Sequence, residues 1–289
     1  MRIGAVYPQI ELGGDPNALD KIGRALESMQ FDHLVMYDHV LGAVHENRNP
    51  PLWGPYTQHD PFHDPFVAFG YLAGITQHLE FVTGVLVLPQ RQTPLVAKQA
   101  TDVDLLSNGR LCLGVGIGWN YVEYDALGQS FRTRGRRMDE QIPFLRRLWS
   151  EVEIEWQGEF DRISRANLAP RPKRRIPIYC GGISDPAYRR AAKLADGFIF
   201  ADHEMAIESA WPQLKDYLAR EGRPVSGFGA HSFVMGRDLK ALPARDAADA
   251  LQRWRDAGGT HASIVSMGRS FGDARRHIDY FAQVQDAFG

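Results

Sequence analysis

The feature that most constrains the fold of this sequence is a regular alternation of short apolar runs with helix-like segments. Eight strands are predicted, over Arg2–Tyr7, Leu34–Tyr37, Glu80–Leu88, Leu111–Val115, Ile176–Cys180, Gly197–Phe200, Phe228–Met235 and Ala262–Ser266. Each is followed by a helical pattern, over Asp20–Gln30, Pro65–Gln77, Leu95–Leu106, Arg136–Trp149, Asp185–Leu194, Trp211–Arg220, Ala244–Ala257 and Asp273–Ala287. Such alternation indicates parallel βαβ units. Eight units in 289 residues predict an α/β fold, a single (β/α)8 TIM barrel, with an open doubly wound sheet as the alternative.

One stretch departs from the alternation, between the fourth and fifth predicted strands. Residues Glu153–Ile163 alternate in polarity as a β-hairpin does, and Pro170–Pro177 is a surface link rich in proline and arginine. The pattern predicts a β-hairpin insertion after strand four. The sequence shows no internal repeat or interdomain linker, so residues 1–289 are expected to form one domain.

Composition narrows the possible partners. The net charge is −2, which gives no basic excess for binding nucleic acid or an anionic membrane. Cys112 and Cys180 lie inside apolar strand-like runs, a position typical of buried free thiols in a reducing compartment. There is no signal-peptide pattern and no run of about 18 apolar residues. We therefore expect a soluble cytoplasmic protein that acts on a small molecule.

A glycine-rich segment follows strand four. Gly114, Gly116 and Gly118 recur at every second position, and Trp119 comes next. Residues two apart share one face of a strand, so this face lacks side chains and is open to a flat ligand. The alternative is a tight strand-to-helix turn that needs glycine for its own geometry. The carboxyl ends of barrel strands form the active face, which favours the ligand.

Asp38 and His39 end strand two. A histidine beside a carboxylate at a barrel mouth is a candidate acid or base, or a hydrogen-bond partner for a ligand. The alternative is a turn cap with a surface histidine. The long loop that follows, residues 41–64, is a candidate substrate lid with Trp53, Tyr56 and Phe62.

A second glycine pair follows strand five. Gly181 and Gly182 offer free backbone N–H groups, and Ser184 precedes the helix that starts at Asp185. A helix N-terminus of this kind is a candidate anion site. An ordinary capped βα loop is the alternative.

His59 and His63 have the spacing of two metal ligands on one helical turn. Pro61 and Pro65 interrupt any helix there, and no His-Glu-x-x-His pattern is present. The sequence therefore predicts no metal site.

Taken together, these motifs resemble a known family. The segments that carry the resemblance are Leu111–Trp119, Glu123, Ala126–Gly128, Phe131, Arg134–Arg136, Asp139–Glu140 and Leu148–Trp149, with Leu34–His39, Gly84–Arg91, Ala97–Gln99, Asp104–Ser107, Pro177–Gly182 and Ala195–Gly197. In this order they resemble the luciferase-like monooxygenase superfamily and, more narrowly, its deazaflavin (coenzyme F420)-dependent oxidoreductase branch.

The resemblance implies a flavin or deazaflavin across the carboxyl ends of the strands. It implies a cis peptide between Gly84 and Val85, a phosphate site at Gly181–Ser184, and catalysis by His39 and Asp38. The residues expected to bind the cofactor are Asp38, Gly84, Val85, Val87, Gly116, Ile117, Gly118, Trp119, Cys180, Gly181, Gly182, Ile183 and Ser184. Trp53, Tyr56 and Trp119 are expected to line the substrate pocket.

The resemblance also implies an activity. We expect hydride transfer between coenzyme F420 and an unidentified organic substrate, by a homodimer. One alternative is an FMN-dependent monooxygenase that uses reduced flavin and dioxygen, and a second is a non-catalytic flavin-binding partner protein. Trp119 stands where related sugar-phosphate dehydrogenases carry an acidic residue, so their substrate is not expected here.

Overall fold

The strands of the computed structural model, which describes residues 1–236 and 238–289, form one closed parallel barrel and one separate hairpin. The barrel consists of β1 (Arg2–Val6), β2 (His33–Met36), β3 (Glu80–Thr83) with its continuation β4 (Leu86–Val87), β5 (Leu111–Gly116), β8 (Ile178–Gly181), β9 (Gly197–Phe200), β10 (Gly229–Val234) and β11 (His261–Ile264). The barrel is closed because β1 pairs with β11 and β3 pairs directly with β5. The (β/α)8 prediction is confirmed, and the open sheet is wrong.

Helices surround the barrel. They are α1 (Pro16–Ser28), α2 (Pro65–Ala73), α3 (Thr93–Leu106), α4 (Tyr121–Ala126), α5 (Arg134–Ser150), α6 (Asp185–Leu194), α7 (His203–Met205), α8 (Trp211–Arg220), α9 (Ala244–Asp256) and α10 (Ala274–Phe288). A π-helical turn, Ala206–Ala210, joins α7 to α8. None of the helices in the described part of the chain combines the length and the apolar character that crossing a membrane requires.

Local capping explains two differences from the predicted helix ends. Helix α1 begins four residues before the predicted start because the Asp15 carboxylate accepts a hydrogen bond from the Asn17 N–H and Pro16 suits the first turn. Helix α2 ends at Ala73 rather than Gln77. The Gly74 and Ile75 N–H groups bond to carbonyls three residues back, on Tyr71 and Leu72, which tightens the last turn, and the Thr76 hydroxyl also bonds to the Leu72 carbonyl.

The strands separate two apolar cores because successive side chains point to opposite faces. In β8, Tyr179 lies inside the barrel and Cys180 lies in the layer between the sheet and the helices. The inner core consists of Val6, Val35, Val82, Tyr179, Ile199, Phe233, Met235, Val265 and Met267. It reaches the carboxyl ends of the strands, where Met235 follows β10 and Val265 follows β11.

An antiparallel hairpin, β6 (Ile154–Gln157) and β7 (Arg162–Ala166), lies in the chain between α5 and β8. Its turn is held by the Glu140 carboxylate, which accepts hydrogen bonds from the backbone N–H groups of Glu159 (2.7 Å) and Asp161 (2.9 Å). Trp156 stacks on Phe144 of α5 with ring centroids 4.8 Å apart. The insertion is therefore packed against α5.

Candidate functional site

A cavity of about 250 Å³ opens at the carboxyl ends of the barrel strands. We call it the mouth cavity. Its lining is mostly apolar and aromatic: Tyr37, Asp38, His39, Pro55, Tyr56, Gly84, Val85, Val87, Gly118, Trp119, Ala201, Phe233, Met235 and Leu239. An apolar pocket with a few convergent polar groups is typical of a ligand site.

The third barrel strand is interrupted where it reaches the cavity. The Gly84–Val85 peptide is cis, as the resemblance implies, and it separates β3 from β4. A side chain at Gly84 would overlap Val35 and approach Phe233 to 2.9 Å. Only glycine therefore fits this bulge, which presents Val85 to the cavity.

The three alternating glycines do not leave an open face, so that expectation is wrong. The space beside Gly114 is filled by Thr83 and Ile199, that beside Gly116 by Val85, and that beside Gly118 by Val87. The glycines thus make room for neighbouring protein atoms, among them Val85 and Val87. Gly118 still lines the mouth cavity, while Gly116 and Ile117 do not.

Asp38 lies in the cavity wall and bonds to two groups of the protein. Its carboxylate accepts hydrogen bonds from the Val87 N–H (2.9 Å) and from Arg91 (2.7 Å), which also bonds to Asp64 (3.1 Å). Burial alone would lower the pKa of Arg91, but the two carboxylates outweigh burial and raise it. Each Asp38 oxygen accepts one of these hydrogen bonds, so Asp38 helps to hold the bulge in place, and the catalytic and cofactor-binding roles expected of it stay predictions.

His39 is paired with a buried carboxylate from another element. Its Nδ1 lies 3.1 Å from Oε2 of Glu123, in the first turn of α4. Burial alone would raise the pKa of Glu123, but the hydrogen bonds from His39, Leu41 and Gln90 outweigh it, so the pKa lies below its ordinary value. The pair combines an ionised carboxylate with an imidazole at the cavity wall.

Aromatic rings surround His39. Its ring centroid lies 5.0 Å from that of Phe62, 5.3 Å from that of Tyr56 and 5.5 Å from that of Trp119. Burial raises the pKa of Tyr56, so its phenol stays protonated at neutral pH. Tyr56 and Trp119 therefore lie where a substrate pocket was predicted.

Trp53 does not line the mouth cavity, contrary to its prediction. Its side chain is 81% exposed. It borders a separate open groove with Tyr121 and Phe131, on which Trp119 also lies. Trp53 lies within the lid loop, but its side chain is turned outward to solvent.

Four predicted phosphate-site residues, Gly181–Ser184, also lie outside the mouth cavity. Ser184 begins α6 without a side-chain capping bond in the described structure. Asp185 bonds away from this end, to Arg189 (2.7 Å) and Gln213 (3.1 Å). Pro186 has no N–H, and the Ala187 N–H donates to the Ser184 carbonyl at 2.9 Å, so an anion at this end would be bound by backbone N–H groups that precede Pro186.

The Cys180 side chain does not line the mouth cavity. The thiol is fully buried in the outer core, on the side of β8 that faces the helices. Burial raises its pKa to about 12. Cys180 is therefore an unreactive packing residue.

Several cavity residues were not predicted. Phe233 and Met235 come from β10 and the residue after it, and residues two apart at a strand end share a face. The predicted strand Phe228–Met235 could therefore have placed Phe233 and Met235 on the same face. Glu123 is outside the cavity lining and was named only among the residues that carry the resemblance, since an acidic residue in a first helical turn is common.

Among residues 1–236 and 238–289, no three His, Cys, Asp or Glu side chains are grouped as metal ligands. His59 is exposed, and His63 is half-buried with an Nε2 that has no partner in this part of the chain.

Comparison with known proteins gives the family. The luciferase-like monooxygenase model matches residues 4–285. Rv0940c, an uncharacterized protein of Mycobacterium tuberculosis, is 41% identical over 139 residues, which is 48% of each chain, so the chain aligns with about half of that relative.

Two further relatives differ in their cofactor. The F420-dependent glucose-6-phosphate dehydrogenase of Microbacterium testaceum is 28% identical over 214 residues, covering 72% of this chain and 60% of that enzyme. The FMNH(2)-dependent dimethylsulfone monooxygenase of Pseudomonas fluorescens is 31% identical over 185 residues, covering 62% and 50%.

The fold has a matching solved structure. An F420-dependent secondary alcohol dehydrogenase in complex with an F420-acetone adduct superimposes with a TM-score of 0.81, at 18% identity, over 100% of this chain and 99% of that chain. At 18% identity this structural similarity supports only the barrel fold. The family assignment rests on the family model, which matches residues 4–285. The chain belongs to the luciferase-like monooxygenase family of enzymes.

Proposed function

We propose that the protein is a coenzyme F420-dependent oxidoreductase that transfers a hydride to or from an organic substrate at the mouth cavity. The observation that carries the proposal is His39, held by the buried Glu123 and lining an apolar cavity at the carboxyl ends of the strands. The F420-dependent relative supports this choice of cofactor.

The residues present fit a deazaflavin. Gly84, Val85 and Val87 form an apolar ledge on which a flat ring can lie, and the N-terminus of α6 can hold a phosphate. When bound, the deazaflavin supplies or accepts the hydride. The cavity of about 250 Å³ is at the small end of ligand pockets, so the rest of the cofactor would extend outside it.

The protein's own groups would orient the reactants and manage one proton. Nδ1 of His39 is engaged by Glu123, which is the one side-chain hydrogen bond that His39 makes within the described residues, and Nε2 takes no part in it. His39 Nε2 would therefore give a proton to the substrate or take one from it. Tyr56, Phe62 and Trp119 would exclude water around this atom.

The 31% identity to an FMNH(2)-dependent monooxygenase favours a second candidate function. In that case the same cavity would hold reduced FMN, and dioxygen would be consumed. The two functions are separated by turnover of a screened substrate panel with F420 or with FMN, each with and without oxygen. We expect F420-dependent turnover that is unchanged without oxygen, and turnover that requires both FMN and oxygen would contradict the proposal.

A homodimer in the cytoplasm is also part of the proposal. Val67 and Tyr71 of α2 and Leu95 and Leu106 of α3 are exposed apolar or aromatic side chains on two helices that pack together. Burial of this face against a second copy would remove it from water. The two free cysteines are compatible with a reducing compartment. Light scattering would give the oligomeric state, and a monomer at micromolar concentration would contradict the dimer.

A further inference from the structure

We infer that Glu123 is a positioning residue, which fixes the tautomer of His39 and joins that ring to the start of the lid loop. This inference rests on the proposed function and deepens it, since it assigns the tautomer of His39, the group expected to move the proton. It is carried by the way in which the two Glu123 oxygens are shared among four donors.

The first oxygen controls the imidazole. Glu123 Oε2 lies 3.1 Å from His39 Nδ1, and the Glu123 side chain is 1% exposed. An ionised carboxylate only accepts hydrogen bonds, so Nδ1 must carry a hydrogen. In the neutral ring Nε2 is then unprotonated and is available as a base at the cavity.

The second oxygen controls the backbone beside the ring. Glu123 Oε1 accepts hydrogen bonds from the N–H groups of Val40 (2.7 Å) and Leu41 (3.0 Å). These residues begin the loop that supplies Tyr56 and Phe62 to the His39 surroundings. The Glu123 carboxylate therefore fixes both the His39 ring and the backbone at the start of the lid loop.

A role in capping α4 does not account for Glu123. Asn120 caps this helix by accepting a hydrogen bond from the Val122 N–H at 3.1 Å. Within the described residues, the hydrogen bonds to the Glu123 carboxylate come from His39, Val40, Leu41 and Gln90, and none comes from α4 itself. The carboxylate is thus directed at the site.

The substitution Glu123→Gln gives a sharp test because it preserves shape. The N–H groups of Val40 and Leu41 both need an acceptor, so the single amide oxygen must face them. The amide NH₂ then faces His39 Nδ1 as a donor. The imidazole must accept there, which moves its proton to Nε2.

Nitrogen-15 NMR of histidine-labelled protein without cofactor reads this tautomer, with the His39 signal assigned from His39→Gln. We expect the Nδ1–H form in the wild type and the Nε2–H form in Glu123→Gln. The matched control is Asp125→Asn, an exposed residue of the same helix, which should leave the signal unchanged.

An Nε2–H signal in the wild type would overturn the inference even if the variant did not fold, as would a tautomer unchanged by Glu123→Gln. A titration of the same wild-type sample with F420 keeps the two proposals apart. If the tautomer changes as expected but F420 does not bind, the proposed function fails and the role of Glu123 stands.

Discussion

Asp38 and His39 are adjacent in sequence, yet their side chains have different surroundings in the site. Asp38 is bonded to Val87 and Arg91, while His39 meets Glu123 and the cavity. The pair was predictable because it follows a predicted strand, and such ends converge on the active face of a barrel. The pairing of Glu123 with His39 was not predictable, because the two residues lie 84 positions apart in the sequence and only the fold brings them together.

Removal of the His39 imidazole tests its proposed role as acid or base. In His39→Ala we expect the rate of hydride transfer to fall by about 10²- to 10⁴-fold, because a positioned proton-transfer group is lost. F420 affinity should change little, since the apolar ledge remains. Stopped-flow absorbance of F420 gives the rate, and fluorescence titration gives the affinity.

His45→Ala is the matched control, because His45 contacts Trp119 but makes no hydrogen bond to Glu123 among the described residues. It should retain most of the wild-type rate. Unchanged hydride transfer in His39→Ala would show that His39 is structural.

At the scale of elements, the strand and helix pattern was largely predictable. Residues 185–194 and 197–200 were predicted with the bounds that α6 and β9 have, because Pro186 suits the first turn of the helix and the strand is a short, fully buried apolar run. The surroundings of the glycine-rich end of β5 were not predictable. The space beside Gly116 and Gly118 is filled by Val85 and Val87, which come from the neighbouring β3–β4 segment. No local pattern in residues 111–119 reports the path of that neighbour.

The bulge between β3 and β4 should tolerate no side chain at residue 84. In Gly84→Ala the new methyl group would overlap Val35 and press on Phe233, so we expect the free energy of unfolding to fall by about 1–3 kcal/mol. Urea unfolding measures this change. Gly70→Ala is the control, because Gly70 lies in α2 with no atom near the added carbon.

Gly70→Ala should be neutral or stabilising by up to about 1 kcal/mol, since alanine is the better helix former. Equal stability of Gly84→Ala and the wild type would show that the bulge has room for a side chain.

At the scale of the whole molecule, the opposite end of the barrel contains three histidines. His33 and His231 both place Nε2 beside the Ser263 hydroxyl, at 2.8 and 2.7 Å, and His261 lies against them. Burial, together with the neighbouring imidazoles, holds the pKa values of His33 and His231 well below the ordinary value. Burial and nearby Arg2 lower the pKa of His261 to about 4.

These shifts predict that the fold loses stability as the pH falls below about 6.5. The unfolded chain takes up protons on these histidines near pH 6.5, whereas the folded chain resists until about pH 4 or lower. The free energy of unfolding should therefore be greatest above about pH 7 and fall between about pH 6.5 and 4. Urea unfolding at pH 7.5, 6 and 5 measures the slope.

His261→Gln should flatten this slope, and substitution of the exposed His59 by Gln should leave it unchanged. Equal stability of the wild type at pH 7.5 and 5 would contradict the account of the buried cluster.

Parallel fluorescence and absorbance titrations of the protein with F420 and FMN show whether the mouth cavity accommodates a deazaflavin ring. We expect saturable binding of F420 with a Kd at least about tenfold below that of FMN, a difference of about 1.4 kcal/mol. Tight binding of FMN with no saturable binding of F420 would contradict this expectation.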